Sequence, residues 1–122
     1  MSADVGIGAL RGLENVPEIE LGLLIRKNGD IVASVGDLVG YNLESFGIMT
    51  ATIYGAANTA NEHLDKKEAS RIVIRGSDGD TLVKNVDSKN ILVIRTKKSH
   101  DFKKILIAMD RTIEQIILGN KR

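Results

Sequence analysis

The residues that could do chemistry in this sequence are few, because cysteine is absent and only two histidines occur. Ser99, His100 and Asp101 spell a catalytic triad in letters, but consecutive side chains cannot converge on one hydrogen-bonded line. We therefore predict that Ser99 caps the last helix and that Asp101 lies in its first turn. Neither His63 nor His100 has a second histidine within helical reach, so both are interpreted as helix-end residues rather than zinc ligands.

Two glycine-containing segments resemble ligand-binding motifs only in part. Gly6–Gly12 (GIGALRG) has arginine where a dinucleotide fingerprint needs its third glycine, and no strand precedes it, so we interpret it as close helix packing. Asp78 and Asp80 flank Gly79, but a calcium loop needs a longer series of oxygen ligands that ends in glutamate. We expect a solvated hairpin turn there. The sequence predicts no catalytic residue, no metal and no cofactor, and therefore a protein that is not an enzyme.

A lysine cluster surrounds the expected start of the last helix. Its members are Lys97, Lys98, Lys103 and Lys104. Positive charge at a helix N-terminus opposes the helix dipole and costs about a few tenths of a kcal/mol for each residue. Two interpretations stay open: a solvated surface, which we favour, and a surface that binds an acidic partner or a phosphate group.

Length and composition narrow the function classes. The chain has 122 residues and a net charge of +1, which predicts one globular domain over residues 1–122. Two tyrosines and two phenylalanines are too few for the stacking platforms of a single-strand nucleic-acid binder. The longest uncharged run, residues 45–61, is too short and too polar for a bilayer span, and the opening residues show no signal peptide. We expect a cytoplasmic protein that binds no nucleic acid and does not insert into a membrane.

Periodicity and turn residues predict the elements that position these side chains. Asn28-Gly29 indicates a hairpin, because a type I′ turn needs positive φ at both central residues, and Asp78-Gly79 indicates a second hairpin. The predicted fold is α+β, with a five-stranded antiparallel sheet sandwiched by helices in the order helix, strand, strand, helix, strand, strand, strand, helix. The predicted ranges are a helix in Ala3–Val16 ended by Pro17, strands Ile19–Arg26 and Ile31–Val35, a helix Asn42–Leu64, strands Arg71–Arg75, Thr81–Val86 and Ile91–Thr96, and a helix from near Ser99 to before Gly119.

The long middle helix carries the strongest functional signal. No lysine or arginine occurs from Asn28 to Asp65, whereas a helix face in water usually carries charge. We predict that its neutral back is buried against a second copy of the chain; cover by another part of the chain and exposure to solvent are the alternatives. The stripe expected to face the sheet is Leu43, Phe46, Thr50, Ile53, Ala57, Ala60 and Leu64. The back, predicted as the dimer interface, consists of Ser45, Ile48, Thr52, Gly55, Ala56 and Thr59.

The third strand also favours self-association. It follows the long helix directly and has no proline, bulge glycine or inward charge to protect an edge. An unprotected edge beside a neutral helix face favours pairing about a two-fold axis. The strand residues assigned to the dimer interface are Arg71, Ile72, Val73, Ile74 and Arg75.

Over most of its length, from about Leu10 to Leu118, the chain resembles the Roadblock dynein-light-chain family. The resemblance implies a five-stranded antiparallel sheet between helices and dimerisation through the second helix and third strand. It also implies a non-enzymatic role, as a regulator or scaffold for Ras-like small GTPases or as a light chain of a motor complex. The segments that carry it are ELGLLIRKNGDIVAS (Glu20–Ser34), ATIYGAANTANEHL (Ala51–Leu64), SRIVIRGSDGDTLVKNV (Ser70–Val86) and ILVIRT (Ile91–Thr96).

From this resemblance we expect a homodimeric adaptor that binds a small GTPase and modulates or tethers it. A small-molecule sensor is the alternative from another class, and it needs a polar-lined cavity of about 300 Å³ or more. A scaffold subunit of a larger complex is a further alternative on the same type of sheet.

Overall fold

The structure is a computed structural model that describes residues 3–37 and 39–120. In that part of the chain, three helices surround one antiparallel sheet of five strands, in the predicted order. The helices are α1 (Ala3–Leu10), α2 (Leu43–His63) and α3 (Phe102–Asn120), and a 3₁₀ segment, Arg11–Asn15, continues α1. The strands are β1 (Ile19–Arg26), β2 (Ile31–Gly36), β3 (Ile72–Gly76), β4 (Gly79–Asn85) and β5 (Asn90–Thr96).

The strands follow the order β2-β1-β5-β4-β3, so β2 and β3 form the two edges of the sheet. β1 and β5 pair in the centre, with Leu23 opposite Val93 and Leu24 opposite Leu92. These four side chains are fully buried although neighbours along a strand point to opposite faces. Both strands therefore need the near-continuous apolar runs that the sequence shows, because both faces of the sheet are covered.

Two apolar cores lie on the two faces of the sheet. α1, the 3₁₀ segment and α3 cover one face, and α2 covers the other, so the prediction of a sheet sandwiched by helices is confirmed. The first core includes Leu10, Leu13, Leu24, Leu82, Leu92, Ile94, Ile105, Met109 and Ile116. The second core includes Leu21, Leu23, Ile25, Ala51, Tyr54, Val83, Ile91 and Val93.

The glycine-rich first helix lies close to the sheet. A Cβ atom added to Gly6 would lie 2.8 Å from Cδ2 of Leu24, so any larger residue would have to displace the end of that side chain. α1 is shorter than predicted, because the backbone tightens into the 3₁₀ segment after Leu10 and that segment ends two residues before Pro17. The interpretation of GIGALRG as a close-packing segment therefore agrees with the structure at Gly6, whereas a Cβ atom added to Gly8 would have nothing within 4 Å.

The connection between β1 and β2 differs from the predicted type I′ turn. Gly29 has φ +100°, but Asn28 is not among the residues with positive φ. The strands are joined by a wider turn, in which Arg26 N–H donates to the Asp30 carbonyl at 2.8 Å and the Asn28 side chain accepts from Asp30 N–H at 2.9 Å. A register shift accompanies this turn: Leu24 pairs with Ala33 and Ile25 with Ile31, which leaves Val32 as one extra residue in β2.

Among the helices within residues 3–37 and 39–120, none is both long enough and apolar enough to span a membrane. The uncharged run at residues 45–61 belongs to α2, which packs one side on the sheet.

Candidate interaction surface and buried charge cluster

α2 packs on the sheet with a different side from the predicted one. Its buried residues, one helical turn apart, are Gly47, Thr50, Ala51 and Tyr54. Three residues predicted to face the sheet are instead exposed: Ile53, Ala60 and Leu64. That part of the prediction is wrong, because the side of α2 that carries Gly47 and Tyr54 packs on the sheet instead.

Two contacts explain this rotation of α2. A Cβ atom on Gly47 would lie 2.8 Å from the Gly29 carbonyl oxygen, so the helix backbone rests directly on the β1–β2 turn. Tyr54 donates its hydroxyl proton to the Asn85 side chain at 3.2 Å, which holds the other end of the buried stripe against β4. Apolar periodicity does not reveal either contact, because one depends on a missing side chain and the other on a polar pair.

The outward side of α2 is exposed and carries no charge between residues 45 and 61. Large apolar side chains stand in it: Ile48 is 44% exposed, Met49 58% and Ile53 40%. Contiguous apolar exposure of this kind is typical of a protein contact site. We call this set the α2 face; it comprises the six residues predicted as the back of the helix, all exposed, with Met49 and Ile53: Ser45, Ile48, Met49, Thr52, Ile53, Gly55, Ala56 and Thr59.

β3 lies at an edge of the sheet and pairs with β4 on one side. Ile72 packs against the core under α2, whereas Val73 packs against the core under α3. Strand alternation therefore puts Ile74, which is 40% exposed, on the α2 side of the sheet. The free backbone groups of β3 and the side chain of Ile74 lie on the same part of the molecule as the α2 face.

The two arginines predicted in this strand contact other groups of the same chain. Arg71 lies one residue before β3, and its Nη2 is 3.9 Å from Oδ1 of Asp110 on α3. Arg75 Nε is 2.9 Å from Oδ2 of Asp80. The arginine side chains thus lie on the α3 side of the sheet and leave Ile72 and Ile74 on the other.

The segment between α2 and β3 is tied to α2. Asn58 accepts a hydrogen bond from Ala69 N–H at 2.8 Å, and Asn61 donates to the Lys67 carbonyl at 2.9 Å. These bonds fix the position of β3 relative to the last turns of α2. The α2 face and β3 therefore form one continuous surface, called here the α2–β3 surface.

The four lysines of the predicted cluster are all exposed around the start of α3. Lys104 pairs with Glu18 at 3.1 Å; for the other three, the described part of the chain contains no ion pair within 4.0 Å. The predicted cap residue is wrong. Asp101, not Ser99, caps α3, since its Oδ1 accepts from Lys104 N–H at 3.3 Å and its carbonyl accepts from Ile105 N–H.

The β3–β4 hairpin also departs from the prediction of a solvated turn. The turn residues are Ser77 and Asp78, and Gly79 is already the first residue of β4. The side chain of Asp80 is only 3% exposed, and Nε2 of His100, which is 7% exposed, lies 3.0 Å from its Oδ2. The prediction fails because Asp80 lies in phase with the buried Leu82, so its side chain points inward under α3.

A group of four residues joins the hairpin to the start of α3, and we call it the charge cluster: Arg75, Asp80, Thr96 and His100. Asp80 N–H donates to Thr96 Oγ1 at 2.8 Å, and Nδ1 of His100 is 2.8 Å from the Lys97 carbonyl. Burial by itself raises the pKa of Asp80. The hydrogen bond from His100, the Gly76 N–H and the charge of Arg75 outweigh burial and hold that pKa below its usual range.

Comparisons with known protein families and solved structures identify the family of this chain. The model of the Roadblock/LC7 domain matches residues 9–96. The chain belongs to the Roadblock/LC7 family. A search of curated proteins by sequence finds no match.

Solved structures share the Roadblock/LC7 fold at low sequence identity. MglB from Myxococcus xanthus has a TM-score of 0.90 at 14% identity, over 98% of this chain and 90% of that one. An MglB structure described as having a tetrameric arrangement gives 0.83 at 17% identity, over 93% and 85%. A Roadblock/LC7 domain from Streptomyces avermitilis gives 0.84 at 14% identity, over the full length of both chains. At such identities the likeness shows the fold alone.

In this Roadblock/LC7 chain, sequence reasoning missed the charge cluster and the exposure of Met49. The two-residue period of β4 was the signal for Asp80, because it shares a face with Leu82. His100 gave no comparable signal, since it lies in a loop and meets Asp80 only after the chain has passed through β4 and β5. The helical projection from the sequence does not place Met49 on the back of α2, because that projection is rotated relative to the buried side in the structure.

Two surface grooves of this Roadblock/LC7 domain have the size that the sensor alternative needs. One, of about 470 Å³, is an open groove around Pro17, Asp37 and Lys97. The other is more enclosed. It lies between the 3₁₀ segment and α3, has a volume of about 330 Å³ and is lined in part by polar residues. By contrast, a cavity of about 110 Å³ lies at the start of α2, lined by Leu21, Tyr41, Asn42, Leu43, Phe46 and Arg95. The more enclosed groove is lined by Gly12, Leu13, Asn15, Val16, Ala108, Arg111, Thr112 and Gln115.

Proposed function

We propose that this chain is a homodimeric, non-enzymatic regulator that binds a Ras-like small GTPase and modulates or tethers it. Membership of the Roadblock/LC7 family supports a regulatory or adaptor role. The observation that carries the proposal is the α2–β3 surface, where an uncharged helix face and an unpaired strand edge lie side by side. Such a surface is suited to a second copy of the chain better than to water.

The geometry of the α2–β3 surface favours a two-fold arrangement. Two copies of β3 that pair antiparallel about an axis perpendicular to the sheet would continue one sheet into the other. The two α2 helices then lie on the same side of the joined sheet, and their small residues Gly55 and Ala56 permit close approach. A stable interface of this kind buries about 1,600 Å² in total. Self-association is also the state described for one of the MglB structures.

The dimer is tested by the mass of the protein in solution. Light scattering at micromolar concentration should give twice 13.2 kDa. Thr52→Arg places a bulky charge in the α2 face and should give the monomer mass. Ile107→Arg is the matched control, since Ile107 is a half-exposed residue on α3, outside that face. A monomer mass for the unmodified protein, or a dimer in Thr52→Arg, contradicts the proposed interface.

The GTPase is tested by capture that depends on its nucleotide. The immobilised protein should enrich a Ras-like GTPase from native lysate differently when a non-hydrolysable GTP analogue or GDP is added. Binding is then measured with the purified GTPase in both nucleotide states. Equal binding in both states would indicate tethering, and no enrichment of any small GTPase would contradict the proposal. The protein alone should not hydrolyse GTP, because its sequence has no phosphate loop.

The lysine cluster has two interpretations, a solvated surface, which we favour, and a surface that binds an acidic partner, and the salt dependence of association distinguishes them. Lys97, Lys98 and Lys103 are exposed at the start of α3. If they steer the partner, association should slow as salt rises, since the screening length falls from about 10 Å at 0.1 M to about 3 Å at 1 M. Replacing these three lysines by glutamine should lower the association rate at low salt. An unchanged rate returns the cluster to the role of a solvated surface.

The groove between the 3₁₀ segment and α3 favours the small-molecule sensor as a second candidate. Its volume of about 330 Å³ and its polar lining are within the range of ligand sites. A thermal-shift screen with metabolites and nucleotides tests it. A ligand that raises the melting temperature of the unmodified protein but not of Thr112→Val would support a site there, and the absence of any shift would remove this candidate.

A further inference from the structure

The outward side of α3 carries four side chains whose order is symmetric about the middle of the helix. Ile107, Arg111, Glu114 and Leu118 follow one another at steps of three or four residues and therefore form one stripe, called here the α3 stripe. All four are exposed, Ile107 by 50% and Leu118 by 55%. The buried residues of α3 lie on its opposite side, in the core. Two large apolar side chains thus stand at the ends of the stripe, with two opposite charges between them.

The α3 stripe is complementary to itself when two copies of the helix lie antiparallel. Its midpoint falls between residues 112 and 113, and a two-fold axis there places Ile107 of one copy opposite Leu118 of the other. The same axis places Arg111 opposite Glu114, and each pair occurs twice. A parallel arrangement would instead place like charges opposite each other, arginine on arginine and glutamate on glutamate. The order of the side chains therefore favours the antiparallel arrangement.

Both charges of the stripe are available for a contact of this kind. Within residues 3–37 and 39–120, neither Arg111 nor Glu114 makes an ion pair within 4.0 Å. The neighbouring carboxylate of Asp110 differs, because Lys84 holds it at 2.6 Å. Complementary charges across an interface fix its register and exclude wrong partners more than they add affinity. Arg111 and Glu114 are thus suited to setting the orientation of two apolar contacts.

A groove beside Leu118 provides an apolar seat for Ile107 of the second copy. It lies between β4 and the second half of α3, is open to solvent and has a volume of about 230 Å³. Ile107 and this groove lie at opposite ends of the stripe, so the antiparallel arrangement brings each isoleucine to the groove of the other copy. The groove is lined by Lys84, Asp110, Ile113, Glu114, Ile117 and Leu118.

We propose that the α3 stripe is a second self-association surface, through which two copies of this chain pair with their α3 helices antiparallel. α3 and α2 cover opposite faces of the sheet, so the α3 stripe and the α2–β3 surface can be occupied at the same time. One protomer then contacts a different copy through each surface, which links dimers into tetramers or longer assemblies. The α3 contact stands without the proposed function, and only the linking of dimers rests on it.

The α3 contact is weaker than a standard protein interface. Each copy contributes one helix with two large apolar side chains, so the buried area stays well below the total of about 1,600 Å² that stable interfaces bury. Lys103 and Lys104 extend the exposed side towards the helix start with positive charge and confine the contact to three turns. A dissociation constant on the order of 0.1 to 1 mM is expected. At micromolar concentration the stripe is therefore unoccupied, and Ile107→Arg remains a valid control for the α2 face.

The test is charge reversal on the stripe, measured by sedimentation equilibrium from about 10 µM to about 1 mM. Thr52→Arg is the starting protein, because it removes association through the α2 face. Its mass should grow with concentration towards twice the starting value. Adding Arg111→Glu or Glu114→Arg places like charges opposite each other and should weaken this growth about tenfold or more in dissociation constant. Lys98→Glu is the control, since it changes the net charge as Arg111→Glu does but lies outside α3.

Mixing separates the α3 contact from an effect of net charge. In an equimolar mixture of the Arg111→Glu and Glu114→Arg proteins, every facing pair is again of opposite charge, and association should return. One chain that carries both substitutions has the pairs exchanged and should associate like the starting protein. It also provides a second variant if a single reversal fails to fold.

Three outcomes overturn the α3 contact. They are a mass that does not grow up to about 1 mM, growth that the single reversals leave unchanged, and a mixture that stays as dissociated as its components. A loss in Lys98→Glu equal to that in Arg111→Glu would likewise assign the effect to net charge. The unmodified protein, measured at micromolar concentration, reports on the α2–β3 surface alone. A monomer there contradicts the proposed dimer and leaves the α3 result standing, whereas absent growth in Thr52→Arg leaves the dimer untouched.

Discussion

The two hairpins of the molecule begin with similar sequence signals and are held in different ways. At the β1–β2 turn, Gly29 lies against the backbone of α2, where a Cβ would be 2.8 Å from Cα of Ile48. The β3–β4 hairpin is held by Asp80, whose carboxylate contacts both Arg75 and His100. The first hairpin depends on the absence of a side chain and the second on the presence of charges. An X-Gly dipeptide therefore locates a turn without indicating which contacts stabilise it.

The largest loss of stability is expected from a substitution at Gly29. Gly29→Ala introduces a side chain at φ +100° and against the α2 backbone, and we expect a loss of about 3 kcal/mol in the free energy of unfolding. Gly40→Ala is the control, because Gly40 has φ +84° but nothing within 4 Å of the added carbon. It should cost only about 1 kcal/mol. Equal losses in urea unfolding would mean that the contact with α2 contributes nothing.

The second-largest loss of stability is expected from a substitution at Asp80. Asp80→Asn keeps the shape but removes the charge that holds Arg75 and His100, and we expect a loss of about 2 kcal/mol. Asp78→Asn is the control, since Asp78 lies exposed in the same turn and should change stability by less than about 0.5 kcal/mol. Stability of Asp80→Asn within error of the unmodified protein would show that charge does not fasten this hairpin.

Acid should affect the two hairpins unequally. The pKa of Asp80 is lowered in the folded protein, so its stabilising contribution is complete above the unfolded value of about 3.9 and is lost as pH falls through the folded value. The difference in unfolding free energy between the unmodified protein and Asp80→Asn should therefore shrink below about pH 4. Amides of β1 and β2 should keep more of their protection there than those of β3 and β4. A difference that stays constant down to the acid limit would contradict this.

The smallest loss of stability is expected from a substitution at Asn28. Its side chain accepts from Asp30 N–H at 2.9 Å, but both residues are exposed, so water can replace the bond. Asn28→Ala should cost about 0.5 kcal/mol in urea unfolding. A loss as large as that of Gly29→Ala would show that polar contacts, rather than backbone packing, hold the first hairpin.

Much of the fold was predictable because it depends on short-range patterns. The predicted and observed bounds of β1 are identical. Asn42 caps α2 as predicted, and its side chain accepts a hydrogen bond from Ser45 N–H at 3.1 Å. Family membership was predictable for the same reason, since strand, turn and helix patterns carry it. The predicted edge position of β3 is also confirmed.

The candidate site was predictable only in part, because its geometry depends on contacts between distant residues. The rotation of α2 depends on Gly47 meeting Gly29, and no helical projection includes that contact. The charge cluster joins Arg75, Asp80 and His100 across two strands and a loop, which a local reading treats as separate surface residues. The dimer interface on the α2–β3 surface stays a prediction, as does the role of the lysine cluster.

If two copies of the chain meet through the α2–β3 surface as proposed, the uncharged middle of α2 determines how quickly and how selectively they do so. Without charge on either face, long-range attraction does not guide the encounter, so association at about 10⁵–10⁶ M⁻¹s⁻¹ with little dependence on ionic strength is expected. Charge repulsion is equally absent, so the face cannot reject a related chain with a similar neutral helix. Discrimination between identical and mixed pairs would then fall to the shapes of Met49, Ile53 and Ile74, and a cell with several related chains would have to keep them apart by expression or location.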